Sequence, residues 1–136
     1  MRSEKRKYIR FLAQDKVYAA LGTHFSRVGK LKDISVAGLA FDYIENTKSS
    51  EPNSSIISIL HSEDNFFLPN LACALIYDRP ICVMANKLCL KQTYVVKKCG
   101  ILFTATNTHQ REKLDFFLNN YTSGSVPLLK EENLSP

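Results

Sequence analysis

The sequence feature that most constrains the fold is a series of short apolar segments with the side-chain alternation of β-strands. In residues 17–21 every second side chain is apolar, and these side chains would lie on one side of an extended chain. Residues 39–43 repeat this pattern directly after Gly38. Pro69 and Asn70 interrupt a later segment, which indicates either an edge of the sheet or a bulge there. The further segments with strand character are 28–31, 56–60, 66–77 and 94–104.

The last periodic segment has helical rather than strand-like spacing. Asn107 suits the N-cap position and Gln110 follows three residues later, which is the arrangement of a capping box. The helix has one apolar face, and its polar face carries charges of both signs. This favours packing of the apolar face over a barrel end rather than binding to a membrane surface or a cofactor. Gly124 is expected to end the helix. Apolar side chains repeat along its buried face at Leu114, Phe117, Leu118 and Tyr121.

Several short strands followed by one helix predict a mainly β fold, a small antiparallel six-stranded β-barrel with a C-terminal α-helix. The 136 residues, 45% of them hydrophobic, are enough for one domain with a core but not for two. A surface loop is expected at 46–55. A short apolar run follows Pro80 at 81–85, before a mixed segment at 86–93 that the sequence does not assign. The predicted organisation is a flexible basic N-terminal arm at 1–10, the barrel and its closing helix at 11–122, and a flexible tail at 123–136.

The charge of the chain favours an anionic partner, since the formal net charge is +5 and the pI is about 9.1. Lysine and arginine are spread along the chain, so a small phosphorylated ligand fits as well as nucleic acid does. No window approaches the roughly 18 to 20 apolar residues of a transmembrane helix, and charged residues follow Met1 without an apolar leader. The sequence therefore predicts a cytoplasmic protein without a membrane span.

No residue pattern indicates catalysis or metal binding. The sequence contains neither a G-x-S-x-G nucleophile elbow nor a P-loop, and its three histidines are far apart. Because no C-x-x-C pair occurs, we expect reduced thiols packed as small apolar groups rather than a zinc site or disulfides. The chain is thus predicted to be a binding protein, not an enzyme, with no cofactor. Its four cysteines are Cys73, Cys82, Cys89 and Cys99.

Two short polar motifs are the candidates for ligand binding. Arg6 and Arg10 follow the pattern R-x-x-x-R and supply planar guanidinium groups that bind phosphate, bind the O6/N7 edge of guanine or stack on a base. Asp33, Ser35 and Gly38 follow the pattern D-x-S-x-x-G and supply an acceptor, a hydroxyl and open backbone. Each motif alone has a structural alternative, a solvated basic tail or a turn that bonds its own backbone. Together they suit a guanine nucleotide.

With these motifs the sequence resembles the PilZ domains, a family of bacterial receptors for cyclic di-GMP. Both family signatures are matched in full by the two motifs. Residues 98–103 and the helix that follows are similar to the family's last strand and closing helix, so the likeness covers roughly residues 5–121. Lys7 departs from the pattern, because many members have a third arginine at that position.

The resemblance implies the same barrel architecture and a stand-alone receptor or adaptor for cyclic di-GMP. In the implied site Arg6 and Arg10 hold phosphate and guanine, with Lys7 between them. Asp33 accepts hydrogen bonds from guanine, and two residues complete the pocket, Ser35 and Gly38. We expect binding to fold the arm against the barrel and to relay the signal to an unidentified effector protein. The family resemblance places such an effector in the control of motility, surface polysaccharide or biofilm formation.

Two other functions are also compatible with the sequence. One is a PilZ-like module that binds partner proteins and no nucleotide, which a negative titration would favour. The other is a small barrel that binds single-stranded nucleic acid through basic and aromatic side chains. Its stacking candidates are Tyr8, Tyr18, Phe25 and Tyr43. Nucleic acid is the less favoured ligand, because most aromatic side chains are needed for the core.

Overall fold

The computed structural model describes residues 8–45, 55–85 and 93–125. In these ranges it contains eight β-strands and one α-helix. Their bounds are β1 (Phe11–Ala13), β2 (Val17–Leu21), β3 (Arg27–Ile34), β4 (Gly38–Ile44), β5 (Ile56–His61), β6 (Phe66–Ala85), β7 (Thr93–Ala105), α1 (Thr108–Asn120) and β8 (Thr122–Ser125). The predicted loop at 46–55 lies, except for its last residue, outside the described ranges.

Six of the strands close into a barrel. The antiparallel sheet runs in the order β2-β5-β6-β7-β4-β3, and β2 also pairs with β3, which joins the two ends of the series. Closure pairs the outermost strands with each other, which is how all-β folds avoid exposed edges. The prediction of a six-stranded antiparallel barrel with a C-terminal helix is therefore confirmed.

Apolar side chains on the inner faces of the strands form one core. Each of them contributes roughly 1.5–3 kcal/mol on being removed from water. The fold thus depends on the alternation of apolar side chains that was visible in the sequence. The fully buried members include Val17, Leu31, Phe41, Ile57, Ile59, Leu68 and Leu71.

The helix α1 packs against the barrel through Phe117, which is fully buried. Its predicted capping box is present: Oδ1 of Asn107 accepts a hydrogen bond from N of Gln110 (2.7 Å), and Oε1 of Gln110 accepts one from N of Asn107 (3.1 Å). The helix ends at Asn120, before Gly124, because the chain turns directly into β8. No helix in the part of the chain that the structure describes is long and apolar enough to cross a membrane.

Two short strands extend the sheet beside β3. β1 pairs with β3, and β8 pairs with β1, with Phe11 opposite Ser125. The sequence did not indicate β8, because its Thr-Ser-Gly-Ser sequence has little strand propensity of its own. It forms because β1 supplies hydrogen-bonding partners, and N of Gln14 donates to O of Tyr121 (3.0 Å) at the start of the pairing. The rest of the predicted tail, 126–136, lies outside the described ranges.

β6 is one strand of 20 residues, where the sequence indicated shorter pieces and a separate run at 81–85. Of the two alternatives predicted at Pro69 and Asn70, the bulge is present, because Asn70 has a φ of 59° and the register between β5 and β6 shifts opposite it. Bulges absorb the residues that interrupt the alternation, including Pro80, without ending the strand. Register shifts against β7 occur at Ala72/Cys73, Leu75/Tyr77 and Pro80/Cys82.

Candidate functional site

The D-x-S-x-x-G motif forms the tight connection between β3 and β4. N of Ser35 donates to O of Gly38 (2.8 Å), and N of Ala37 donates to Oγ of Ser35 (3.0 Å). The structural alternative foreseen for this motif, a turn that bonds its own backbone, is thus present at Ser35. That bond uses the hydroxyl oxygen as an acceptor, and the hydroxyl hydrogen can still donate to a ligand.

Gly38 is required by the close approach of two strands. A Cβ at this position would overlap the carbonyl oxygen of Ile101 and lie 3.2 Å from the carbonyl carbon. Gly38 is opposite Leu102 in the pairing of β4 with β7, and N of Phe103 donates to O of Ala37 (2.8 Å). The missing side chain also leaves this stretch of backbone open to a ligand.

Arg10 and Asp33 are brought together by β1. Leu12 lies opposite Asp33 in the pairing of β1 with β3, so Arg10, which directly precedes β1, reaches the carboxylate. Nη2 of Arg10 donates to Oδ1 of Asp33 in an ion pair. The two side chains are 23% and 13% exposed, so part of the guanidinium remains accessible. This contact joins one residue of each predicted motif.

A groove of about 310 Å³ opens beside this ion pair. Its lining includes Arg10, Ser35 and Gly38, and Asp33 is connected to it through Arg10. Arg6 and Lys7, the remaining predicted site residues, lie outside the described ranges. Other lining residues come from the segment before β1, from β6 and from β7: Tyr8, Ile76, Tyr77, Gly100, Ile101 and Leu102.

Sequence patterns did not indicate Tyr77 as a groove residue. Its ring lies against Gly100, where a Cβ would overlap Cε2 of the ring and come within 2.7 Å of Cδ2. The missing side chain of Gly100 leaves the space that this ring occupies. Tyr77 faces Gly100 because of the bulge after Leu75, which no single-sequence pattern locates.

A second polar cluster, formed by Arg27, Tyr43, Asp78 and Lys97, does not line the groove. Oη of Tyr43 donates to Oδ1 of Asp78 (2.6 Å), and Nε of Arg27 donates to Oη of Tyr43 (3.2 Å). Nζ of Lys97 lies 3.6 Å from Oδ2 of Asp78. Burial and the hydrogen bond to Asp78 raise the pKa of Tyr43 far above its usual value. Because Tyr43 is only 5% exposed, it is not available to stack on a nucleobase, which removes one of the four candidates of the nucleic-acid alternative.

The cysteines that the structure describes are free thiols, with Cys73 and Cys99 buried and Cys82 exposed. Burial raises the pKa of Cys73 to about 11. Burial, reinforced by the carboxylate of Asp78, raises the pKa of Cys99 to about 12. Both thiols therefore stay protonated and pack as small apolar groups. Cys89 lies outside the described ranges, and no group of three or more metal-ligating side chains occurs within them.

No protein-family model matches the sequence, and no curated protein matches it. Similar solved structures include the PilZ domain of YcgR from Escherichia coli with c-di-GMP, with a TM-score of 0.57 and 13% identity over 86% of this chain and 91% of that chain. They also include MrkH, described as a c-di-GMP-dependent transcription regulatory factor, with a TM-score of 0.55 and 15% identity. That match covers 85% of this chain and 50% of MrkH, so this chain spans about half of its length. The chain has a PilZ-like fold.

Proposed function

We propose that this protein binds cyclic di-GMP in the groove beside the Arg10–Asp33 ion pair and relays the presence of the ligand to a partner protein. The ion pair is the observation that carries the proposal. It joins, at one groove, a guanidinium that suits phosphate or guanine and a carboxylate that suits the guanine N–H edge. The descriptions of YcgR and MrkH as c-di-GMP proteins support the same ligand class here.

The ligand would share or replace the contacts of this ion pair. Arg10 has further N–H donors besides the one that Asp33 accepts, and these can bind a phosphate oxygen or the O6/N7 edge of guanine. Asp33 can accept from the guanine N–H groups, and its neighbours Ser35 and Gly38 provide a donor and accessible backbone. Two residues of the preceding arm are proposed as additional cationic contacts, Arg6 and Lys7.

The signal would pass to a partner protein if ligand binding changes the surface that the partner contacts. Ile76 and Leu102 border the groove and are 58% and 44% exposed, so a bound ligand would cover apolar surface there. The arm at 1–10 would be held against the barrel by charge-assisted hydrogen bonds. We propose a cytoplasmic receptor in a bacterium that acts on an effector protein of motility or biofilm formation and has no catalytic activity of its own.

Titration calorimetry with cyclic di-GMP tests the site assignment. We expect micromolar or tighter binding by the wild type and at least tenfold weaker binding by Arg6→Ala, Arg10→Ala and Asp33→Ala. Lys30 and Asp15 pair with each other (2.9 Å) away from the groove. Lys30→Ala is therefore the charge-matched control for the two arginine variants, and Asp15→Ala is the charge-matched control for Asp33→Ala. GTP serves as the control ligand. Unchanged affinity in all three site variants would remove the site assignment, and no binding by the wild type would remove the function.

A negative titration would favour the second candidate, a protein-interaction module without nucleotide binding. The observation in its favour is the apolar outer surface of β6, where Ile76, Ile81 and Val83 are 58%, 49% and 67% exposed. Exposed apolar patches are typical of protein contacts. Salt-sensitive binding to any oligonucleotide, without preference for the cyclic dinucleotide, would instead mark the nucleic-acid alternative.

A further inference from the structure

The neighbouring strands β3, β4, β7 and β6 carry a row of apolar side chains on their outer face. Directly opposite residues of paired strands have side chains on the same face, and Val96 is opposite both Ile44 and Cys82. Val28 continues the row, because the residue after Val28 is opposite the residue before Ile44. The alternate residues of β4 belong to the core, so this face is the outer one. Ile44 and Val28 are 56% and 48% exposed, and Cys82 is exposed as well. We call these residues the apolar row: Val28, Ile44, Val96 and Cys82.

A second row on the same face, next to the first, is mainly basic. Lys98 is opposite Arg79 on β6 and opposite Asp42 on β4, and Asp42 is opposite Lys30 on β3. Like charges directly opposite each other are destabilising, yet within the described ranges neither Arg79 nor Lys98 forms an ion pair with a carboxylate. These two cations are therefore available to a negatively charged partner. Lys32 also belongs to the row, since its Nζ lies 3.9 Å from Oδ2 of Asp42. We call the cations of this row the basic row: Lys30, Lys32, Lys98 and Arg79.

The basic row borders the ligand groove. The guanidinium of Arg79 lies over the ring of Tyr77, with Cζ 4.5 Å from the ring centroid, and Tyr77 is one of the residues that line the groove. Tyr77 is opposite Gly100, two residues after Lys98 on β7. The side chains of the two rows do not themselves line the groove. A molecule bound to the rows would therefore lie next to a ligand without occupying its site.

We propose that the apolar row and the basic row together are the docking surface for the effector protein, and that the effector contacts them with aliphatic side chains and carboxylates; this inference rests on the proposed function. Exposed apolar patches are typical of protein contacts, and complementary charge guides and selects the partner. A nucleic acid would leave the apolar row unused, because its bases stack on aromatic rings. A symmetric contact with a second copy would bring the same basic surface of each copy together, and like charges oppose such a contact.

Peptides selected from a random display library test this docking surface. The selection uses the full chain with cyclic di-GMP present, and the enriched peptides are then synthesised as probes. We expect them to contain both aliphatic and acidic residues, and to bind about tenfold or more weakly to Val28→Ser and to Lys98→Glu. Val83→Ser is the control for the first variant, because Val83 is 67% exposed and follows Cys82 on the opposite face of β6. Arg111→Glu is the control for charge reversal, because Arg111 is exposed on α1, outside both rows.

Peptides that bind Val28→Ser and Lys98→Glu as tightly as the wild type would overturn the inference while the receptor function stands. Three other results would overturn it in favour of another occupant of the rows. These are binding to vesicles of phosphatidylcholine and phosphatidylglycerol that Lys98→Glu abolishes, binding to a single-stranded oligonucleotide that the same variant abolishes, and a dimer in analytical ultracentrifugation that Val28→Ser dissociates. Calorimetry with cyclic di-GMP tests the receptor function separately, and Val28→Ser should bind this ligand like the wild type. Absence of ligand binding by the wild type would remove the receptor function, whereas peptide binding that depends on both rows would still support the docking surface.

Discussion

Arg10 and Asp33, 23 positions apart in the sequence, form an ion pair at the junction of β1 and β3. Their side chains are 23% and 13% exposed, so the pair lies at the boundary between the barrel and water. An ion pair in that position contributes little to stability. Its position beside the groove makes it a contact that a ligand can use.

The Arg10–Asp33 pair should therefore matter for ligand binding and little for folding. We expect Arg10→Ala to lower the free energy of unfolding by about 1 kcal/mol or less, measured by urea unfolding without ligand. Arg10→Lys, which keeps the charge but loses the planar fork, should fold like the wild type and still bind the ligand more weakly. A loss of several kcal/mol in Arg10→Ala would show that the pair is a structural part of the barrel.

Two glycines of the groove should respond differently to alanine. At Gly38 a Cβ meets the backbone of Ile101, which cannot move without disturbing β7, so Gly38→Ala should lower the free energy of unfolding by about 1–3 kcal/mol. At Gly100 the Cβ meets the ring of Tyr77, a side chain that can turn away. Gly100→Ala should thus cost less stability and mainly weaken ligand binding. Thermal unfolding and calorimetry on both variants check this, and equal stability losses would contradict it.

Alkaline pH should destabilise the fold through the buried thiols. An unfolded chain releases a cysteine proton near pH 8.5, whereas burial raises the pKa of Cys73 to about 11 and that of Cys99 to about 12. Above pH 8.5 the unfolded state therefore binds fewer protons than the folded state, and the free energy of unfolding falls as the pH rises towards 11 to 12. Urea unfolding at pH 7 and pH 10 should show a smaller decrease for Cys99→Ala than for the wild type. Equal decreases would refute this origin of the pH dependence.

Tyr43→Phe should separate the stability of the barrel from its ligand binding. The change removes the hydroxyl that lies between Arg27 and Asp78, and we expect a loss of about 1–2 kcal/mol in the free energy of unfolding. Asp78 keeps its ion pairs with Arg27 and Lys97, so the affinity for cyclic di-GMP should not change. Tyr18→Phe on β2 is the control for removing a tyrosine hydroxyl. A weakened affinity in Tyr43→Phe would show that the polar cluster and the groove are coupled.

The barrel and its helix could be predicted because their signals are local. The alternation in Val17–Leu21 and in residues 39–43 predicts strands, and the capping box of Asn107 and Gln110 predicts where the helix begins. The turn that places Ser35 and Gly38 together is equally local. These parts of the fold and of the candidate site depend on residues that are close in the sequence.

The rest depends on pairing between distant segments. β8 forms only because β1 offers hydrogen-bonding partners to a sequence without apolar alternation. Tyr77 enters the groove only because of a register shift against β7, and Tyr43 is buried by contacts with Arg27 and Asp78. A single sequence does not reveal such registers, so the groove wall and the buried cluster were found only in the structure.

β1 is only three residues long and is hydrogen-bonded on both edges, to β3 on one side and to β8 on the other. Arg10 directly precedes it, and β8 directly follows α1. We expect a movement of Arg10 towards a ligand to shift this short strand and, through the bond from N of Gln14 to O of Tyr121, to displace the C-terminal end of the helix. The tilt of α1 would then report occupancy of the groove to molecules that never touch the ligand.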